Sequence, residues 1–228
     1  MTSWNATLRT ATADDVDAIL QFYKDNPNKN VLGRSDAVRN ACENGRQFLV
    51  EVEGAIVGVS GAFPSGAKSL VEVGGTRVAD DWQGFGLQER LFWARFAAIV
   101  LTEDRDVQIT TAVDPDNATS KHSILKQGFA KWDEPAPELL VECDPGPGRA
   151  GCEKKAALPA GAKCCSDFFL ISRDALRAAI RAFLDDTKES TTVTRTRKSG
   201  DVLTLHVTCK TVCDPERRED LEAFCEGR

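Results

Sequence analysis

Residues 80–95 read DDWQGFGLQERLFWAR: two acids and an aromatic, then Gly84-Phe85-Gly86, then a long amphipathic segment. The chain turns here from extended to helical, and it turns on glycines. Glycine is a poor helix former, and Ser, Thr, Asp or Asn would ordinarily cap such a start. Glycines at a helix start let something approach the backbone closely. An anion resting on the free N–H groups of a helix N-terminus needs that room, which side chains would fill. The amides of Gly84 to Gln88 then face a phosphate, with a terminal dipole equivalent to about +0.5 charge behind them.

Upstream, SLVEVGGTRVAD (69–80) reads as a strand whose Gly74-Gly75 pair marks a bulge or a close backbone approach. Before it lie a short strand at 6–10, a helix over 11–26 with Val16, Ile19, Leu20 and Tyr23 on one side, and a second helix at 36–44. QFLVEVEGAIVGVSGAF (47–63) is a hairpin turning at Glu53-Gly54. Downstream, the helix over 84–101 carries Leu87, Leu91, Ala94, Ala98 and Leu101 along one face. A strand (106–113), a helix (117–128) and a further strand from Phe129 follow. Residues 133–163 hold five prolines and four glycines, the composition of a long irregular excursion, with a short strand expected at 139–142. SDFFLIS (166–172), a helix over 173–186 facing a core with Leu176, Ile180, Phe183 and Leu184, a hairpin over 191–212 and a closing helix complete the chain. The composite is α/β, more fully α+β: 1–171 as one domain with 133–165 as an irregular insertion, and 172–228 as a C-terminal α-β-β-α extension.

The order strand, two helices, three strands, glycine-turn helix, strand, helix, strand resembles the GNAT superfamily of acyl-CoA-dependent N-acyltransferases. The resemblance covers about residues 6 to 133. Its central motif here reads Gln83-Gly84-Phe85-Gly86-Leu87-Gln88, departing only at the last position, where Gly or Ala is usual. A weaker signature follows in Asn117, at the start of the next helix, and Gly128-Phe129 at its close. The resemblance implies a mixed, largely antiparallel sheet flanked by helices, with acetyl-CoA as co-substrate. Residues 83–88 would hold its pyrophosphate, Thr76, Arg77 and Val78 would pair with the pantetheine arm as a pseudo-strand, and Asn117 would contact that arm further along. Glu72, six residues before Val78, occupies the place of the catalytic glutamate in histone acetyltransferases of this superfamily. Even spacing puts Glu72, Gly74, Thr76 and Val78 on one face of the strand.

The chemistry sets its own demands. A lysine-like amine, with a pKa near 10.4, costs roughly 4.6 kcal/mol to deprotonate at pH 7, and an α-amino group near 7.7 costs about 1 kcal/mol. Glu72 is the candidate base. The tyrosine that protonates the departing thiolate in many superfamily members is replaced by Ile124; His122 and Ser123 lie beside it, and the only tyrosine is Tyr23. The general acid is therefore unassigned, and direct attack in a ternary complex needs none from the protein. Arg34, in the connection between the first two helices, is a candidate for a substrate carboxylate or a plain solvated arginine.

A hydrophobic fraction of 42% over 228 residues supports a packed core, and a net charge of −6 counts against nucleic acid as partner. The basic hairpin TRTRKSG (194–200) is the one feature that points the other way, towards acetylation of a nucleic-acid-linked amine. No signal-peptide pattern opens the chain and no apolar run is long enough to span a bilayer, so a cytoplasmic protein is expected, with a homodimer as one option. Of the eight cysteines, only Cys209 and Cys213 show a spacing suggestive of a metal, and no metal is expected. The expected function is acetyl transfer from acetyl-CoA to a primary amine of a small molecule or peptide. The alternative is a non-catalytic acyl-CoA-binding module on the same fold.

Overall fold

The structure, a computed structural model, describes residues 2–27, 35–64, 70–103, 106–132, 167–186, 191–196, 200–210 and 215–227. The strand expected at 139–142, Arg34 and the 133–165 insertion lie outside them. Along the chain run β1 (Thr2–Thr10), α1 (Val16–Asp25), α2 (Ser35–Glu43), β2 (Gln47–Val52), β3 (Ala55–Pro64), β4 (Leu70–Val78) and α3 (Leu87–Thr102). Then come β5 (Gln108–Val113), α4 (Ala118–Lys126), β6 (Phe129–Lys131), β7 (Asp167–Ile171), α5 (Arg173–Asp186), β8 (Thr191–Thr196), β9 (Val202–Cys209) and α6 (Pro215–Glu226). The nine strands described form one sheet in the order β6-β7-β5-β4-β3-β2-β1-β9-β8. Every neighbouring pair is antiparallel except β4–β5 and β1–β9. The mixed, mostly antiparallel sheet flanked by helices is the architecture expected from the element order.

Helices cover both faces. On one, α1 and α2 bury Ile19, Phe22 and Val38 against Leu49 and Val59 of the sheet. On the other, α3 crosses β2, β3 and β4 and is itself covered by α5 and α6. This second layer changes the reading of α3. Leu87, Leu91 and Ala94 are buried as the periodicity requires, but Ala98 and Leu101 are only half-buried, and Phe92, Phe96 and Ile99 are buried as well. Phe92 and Phe96 pack on Phe129 of β6, and Trp93 meets Phe183 of α5 at 6.5 Å between ring centroids. A helix that is apolar on nearly every side is an inner helix.

The first strand is also longer than its own pattern suggests. It begins at Thr2 instead of residue 6, because Thr2 to Leu8 pair with Leu203 to Cys209 of β9. Leu205 and Val207 are buried in the same core as Ile180, Phe183 and Leu221. The last strand of the sheet thus extends the first.

Candidate functional site

β4 and β5 run parallel but pair only over Leu70–Gln108, Val71–Ile109 and Glu72–Thr110. Beyond Thr110, β5 continues in register with β7, from Thr110–Leu170 to Val113–Asp167, while β4 stays with β3. The two strands therefore splay apart after Glu72, and residues 73–78 of β4 present a backbone edge to the cleft. Because the strands are parallel, the N-termini of α3 and α4, which follow them, open at the same end of this wedge.

A bulge in β4 modifies the sequence reading of its faces. Gly61 pairs with Gly74 but Val59 pairs with Arg77, so β4 carries one residue more than β3 over this stretch. The extra turn sits at Gly75, whose φ of +63° lies in the left-handed region that glycine adopts without strain. The alternation resets there. Glu72, Gly74 and Arg77 face α1 and α2, with Arg77 Nε donating to Asn26 O at 3.1 Å. Thr76 and Val78 turn to the α3 side, where Thr76 meets Ser60 (Oγ to Oγ1 3.0 Å) and Val78 lies beside Leu91. The even-numbered set expected on one face is split by the bulge.

Two side chains pin the bulge from opposite faces. From α1, the Tyr23 hydroxyl donates to Gly75 O at 2.5 Å. From α3, the Arg95 guanidinium donates through Nη1 to Gly61 O and Gly74 O, each at 3.3 Å, and through Nε to Leu91 O. Burial raises the Tyr23 pKa, so this proton stays on the oxygen. Arg95 is completely buried, its guanidinium lies 4.2 Å from the Phe92 ring centre, and burial pushes its pKa down to about 9. It stays cationic at neutral pH, and among the described residues no carboxylate partners it. Arg95 Nη2 finds no partner there either, and the fully buried Gln47, which opposes Gly61, stands beside the Tyr23 hydroxyl. Burying an unpaired charge is costly. Sequence reading missed this pair; the available signal was an arginine inside the apolar run LFWARFAAIV. Arg95→Met is expected to leave the melting temperature unchanged or higher while lowering turnover about tenfold. Thermal unfolding and steady-state rates check it; a matching loss of stability would make Arg95 a packing residue only.

The glycine turn has the shape the sequence implied. A 3-10 turn at Asp80–Trp82 precedes it, and Gly86, with φ +69° and ψ 13°, stands as the N-cap of α3 with no side chain to cover the first amides. The side chains of Phe85 and Leu87 point into the core, Phe85 packing on Trp82. These two residues therefore offer a ligand only backbone N–H groups. Gln83, Gly84 and Gln88 are exposed, and Gln83 Nε2 is held by Asp80 Oδ1 at 2.9 Å. A Cβ on Gly86 would stand 2.8 Å from Arg90 Nη1, which bonds the Phe85 carbonyl at 3.3 Å. Gly86→Val is therefore expected to strain the cap by about 1–2 kcal/mol and to weaken acetyl-CoA binding more than tenfold. Calorimetry on the folded variant reads this directly, and unchanged affinity would exclude the turn as a binding element.

Glu72 sits at the vertex of the splay, half-buried, opposite Phe63 on β3 and Thr110 on β5. Asn117 caps α4, its Oδ1 accepting from Ser120 N at 3.0 Å, which leaves its Nδ2 for a ligand. The structure thus gathers Glu72, the edge at Thr76–Val78 that no described strand covers, the turn at 83–88 and Asn117 around one wedge. The acid candidates fare differently. Ile124 is buried, His122 is exposed on α4, and Tyr23 spends its proton on Gly75. Among the described residues no three metal-ligating side chains converge, and no helix is long and apolar enough to cross a membrane. Cys213 lies outside the described residues.

This wedge between splayed parallel strands, with a glycine turn opening the helix after the first, is the fold of the GNAT acetyltransferases, and the chain has that fold. It is similar to diaminobutyrate acetyltransferase EctA from Paenibacillus lautus, solved in complex with L-2,4-diaminobutyric acid and coenzyme A. The TM-score is 0.51 at 17% identity, covering 73% of this chain and 94% of that one. It is similar also to a GNAT-family acetyltransferase from Streptococcus pneumoniae, with a TM-score of 0.50 at 13% identity over 73% and 99% of the two chains. No protein-family model and no curated protein matches the sequence.

Proposed function

We propose that the protein is an N-acyltransferase that moves an acetyl group from acetyl-CoA to a primary amine of a small molecule or peptide. The observation that carries this reading is the splay of β4 from β5 at Glu72, with the open turn 83–86 at the same end. The N–H groups of residues 84–88 receive the pyrophosphate. The β4 edge at Thr76–Val78 pairs with the amides of the pantetheine arm, and Asn117 Nδ2 binds it from α4. These contacts run the thioester down the wedge towards the bulge and Glu72.

There Glu72 takes a proton from the ammonium form of the acceptor, directly or through one water. The amine nitrogen attacks the thioester carbonyl, the C–N bond forms, and negative charge develops on the carbonyl oxygen. Backbone N–H groups of the β4 edge face that oxygen, and the uncompensated Arg95 cation beneath Gly74 favours it in a medium of low dielectric. Collapse breaks the C–S bond. The thiolate takes its proton from water or from the nitrogen that has just become an amide, since Ile124 supplies none. Residues 1–171 carry this chemistry, and 172–228 form an extension built onto it. The acceptor enters from the α1–α2 side, where Glu72 and Arg77 face.

A thiol-release assay with acetyl-CoA against polyamines, amino acids, aminoglycosides and peptides tests the reading. Release with at least one amine supports it. Tight acetyl-CoA binding with no release against any amine favours the second reading, a non-catalytic acyl-CoA module, which the buried Ile124 supports. No binding at all sinks both.

A further inference from the structure

Arg195 lies on β8, in the basic stretch TRTRKSG that the wedge itself does not use. Its Nη1 donates to the carbonyl oxygen of Gln83, the residue that opens the glycine turn. Its Nε and Cδ also stand 3.2 and 3.3 Å from where a Cβ on Gly84 would be. The guanidinium is therefore laid against Gly84 on one side. Arg195 is half-buried and has no carboxylate partner among the described residues. The turn is anchored to the same part of the sheet by aromatics: Trp82 packs edge-on against Trp4 of β1 at 5.2 Å, and Trp4 is in register with Leu205 of β9. Leu203 of β9 in turn opposes Arg195 itself.

The geometry points to Arg195 as a positioning residue for the phosphate-binding turn, supplied by the C-terminal extension and acting through the Gln83–Gly84 peptide. The inference rests on the acyl-CoA reading above. A trans peptide is planar, and its C=O and N–H point in opposite directions; no cis bond occurs among the described residues. Holding the Gln83 carbonyl towards β8 therefore aims the Gly84 N–H away from β8. Gly84 sits at φ +84°, where glycine's freedom would otherwise let this peptide rotate. A charge-assisted hydrogen bond is among the stronger ways to stop that rotation. The unneutralised guanidinium also adds positive potential beside the helix N-terminus, on a protein whose net charge is −6. The recognised ligand class is a thioester bearing a pyrophosphate, and the extension thereby tunes cofactor affinity without entering the chemistry.

The test compares two thioesters on the full-length protein and its Arg195→Ala, Arg195→Gln and Arg195→Lys variants. Acetyl-CoA carries the pyrophosphate; S-acetyl-pantetheine does not. Arg195→Ala and Arg195→Gln should raise the Kd and KM for acetyl-CoA about tenfold. The kcat with acetyl-CoA and the KM for S-acetyl-pantetheine should stay at parental values. Arg195→Lys should recover part of the loss, because one N–H···O bond can reform without the planar fork. Equal losses with both thioesters, or an unchanged acetyl-CoA Kd in variants of parental melting temperature, would overturn the proposal. If the parent binds neither thioester, the acyl-CoA reading fails and the positioning role falls with it. If the parent binds acetyl-CoA and only the variant comparison fails, the reading stands alone.

Discussion

Truncation after Ser172 is expected to yield a chain that aggregates or changes its oligomeric mass and loses turnover. The lost segment buries Leu176, Ile180, Phe183, Leu184, Leu203, Leu205, Val207 and Leu221 in the core shared with α3. At about 1.5–3 kcal/mol for each fully buried aliphatic or aromatic side chain, the eight contribute roughly 12–24 kcal/mol of gross burial, against which the segment's ordering entropy is set. A domain's net stability is only about 5–15 kcal/mol, so losing a share of this burial from the core side is enough to unfold it. Truncation also strips one edge of β1 of its partner and uncovers Trp93 on α3. Light scattering and thermal unfolding read the outcome. A truncated chain that stays monodisperse and fully active would show that the core closes without the extension.

Glu72→Gln is expected to lower kcat about a hundredfold at pH 7, within the range that a positioned general base contributes, with acetyl-CoA affinity kept. The deficit should shrink as pH rises towards the acceptor's own pKa, where free amine no longer needs a base. A larger deficit is expected for a lysine-like acceptor than for an α-amino group, because the proton to be removed is held more tightly. A pH–rate profile superimposable on the parent's would remove Glu72 from this role. Parental calorimetric affinity in the same variant separates chemistry from a collapsed wedge.

The placement of much of this candidate site was legible because its signals are local. A glycine-opened helix declares itself in four residues, and Asn117 lies where a cap belongs. Glu72 falls at the vertex of the splay because strand register is a simple count up to the bulge. The bulge itself was signalled by Gly74-Gly75, but its consequence was not. One inserted residue turns Thr76 and Val78 to the other face, and only the pairing with Val59 and Gly61 reveals which side wins. The placements of Arg95 and Arg195 were illegible for a different reason. Each depends on a partner distant in sequence, Arg195 reaching Gln83 and Arg95 reaching Gly61, and nothing in a helix or strand period encodes such a meeting. The second buried side of α3 was hidden likewise, since α5 and α6, which cover it, lie far along the chain.

The parallel pairing of β1 with β9 joins Leu8 to Cys209, and it sets an order on assembly. A ribosome delivers the strand at 2–10 long before the strand at 202–209. β1 can pair with β2 once α1 and α2 have been made between them, but its second edge must wait until β9 emerges. Contacts of such sequence separation form late and slow the search for the native state. Until then an open strand edge is a template for pairing with another nascent chain. Chaperone dependence during synthesis and a slow final refolding phase are the expected signatures of this closure.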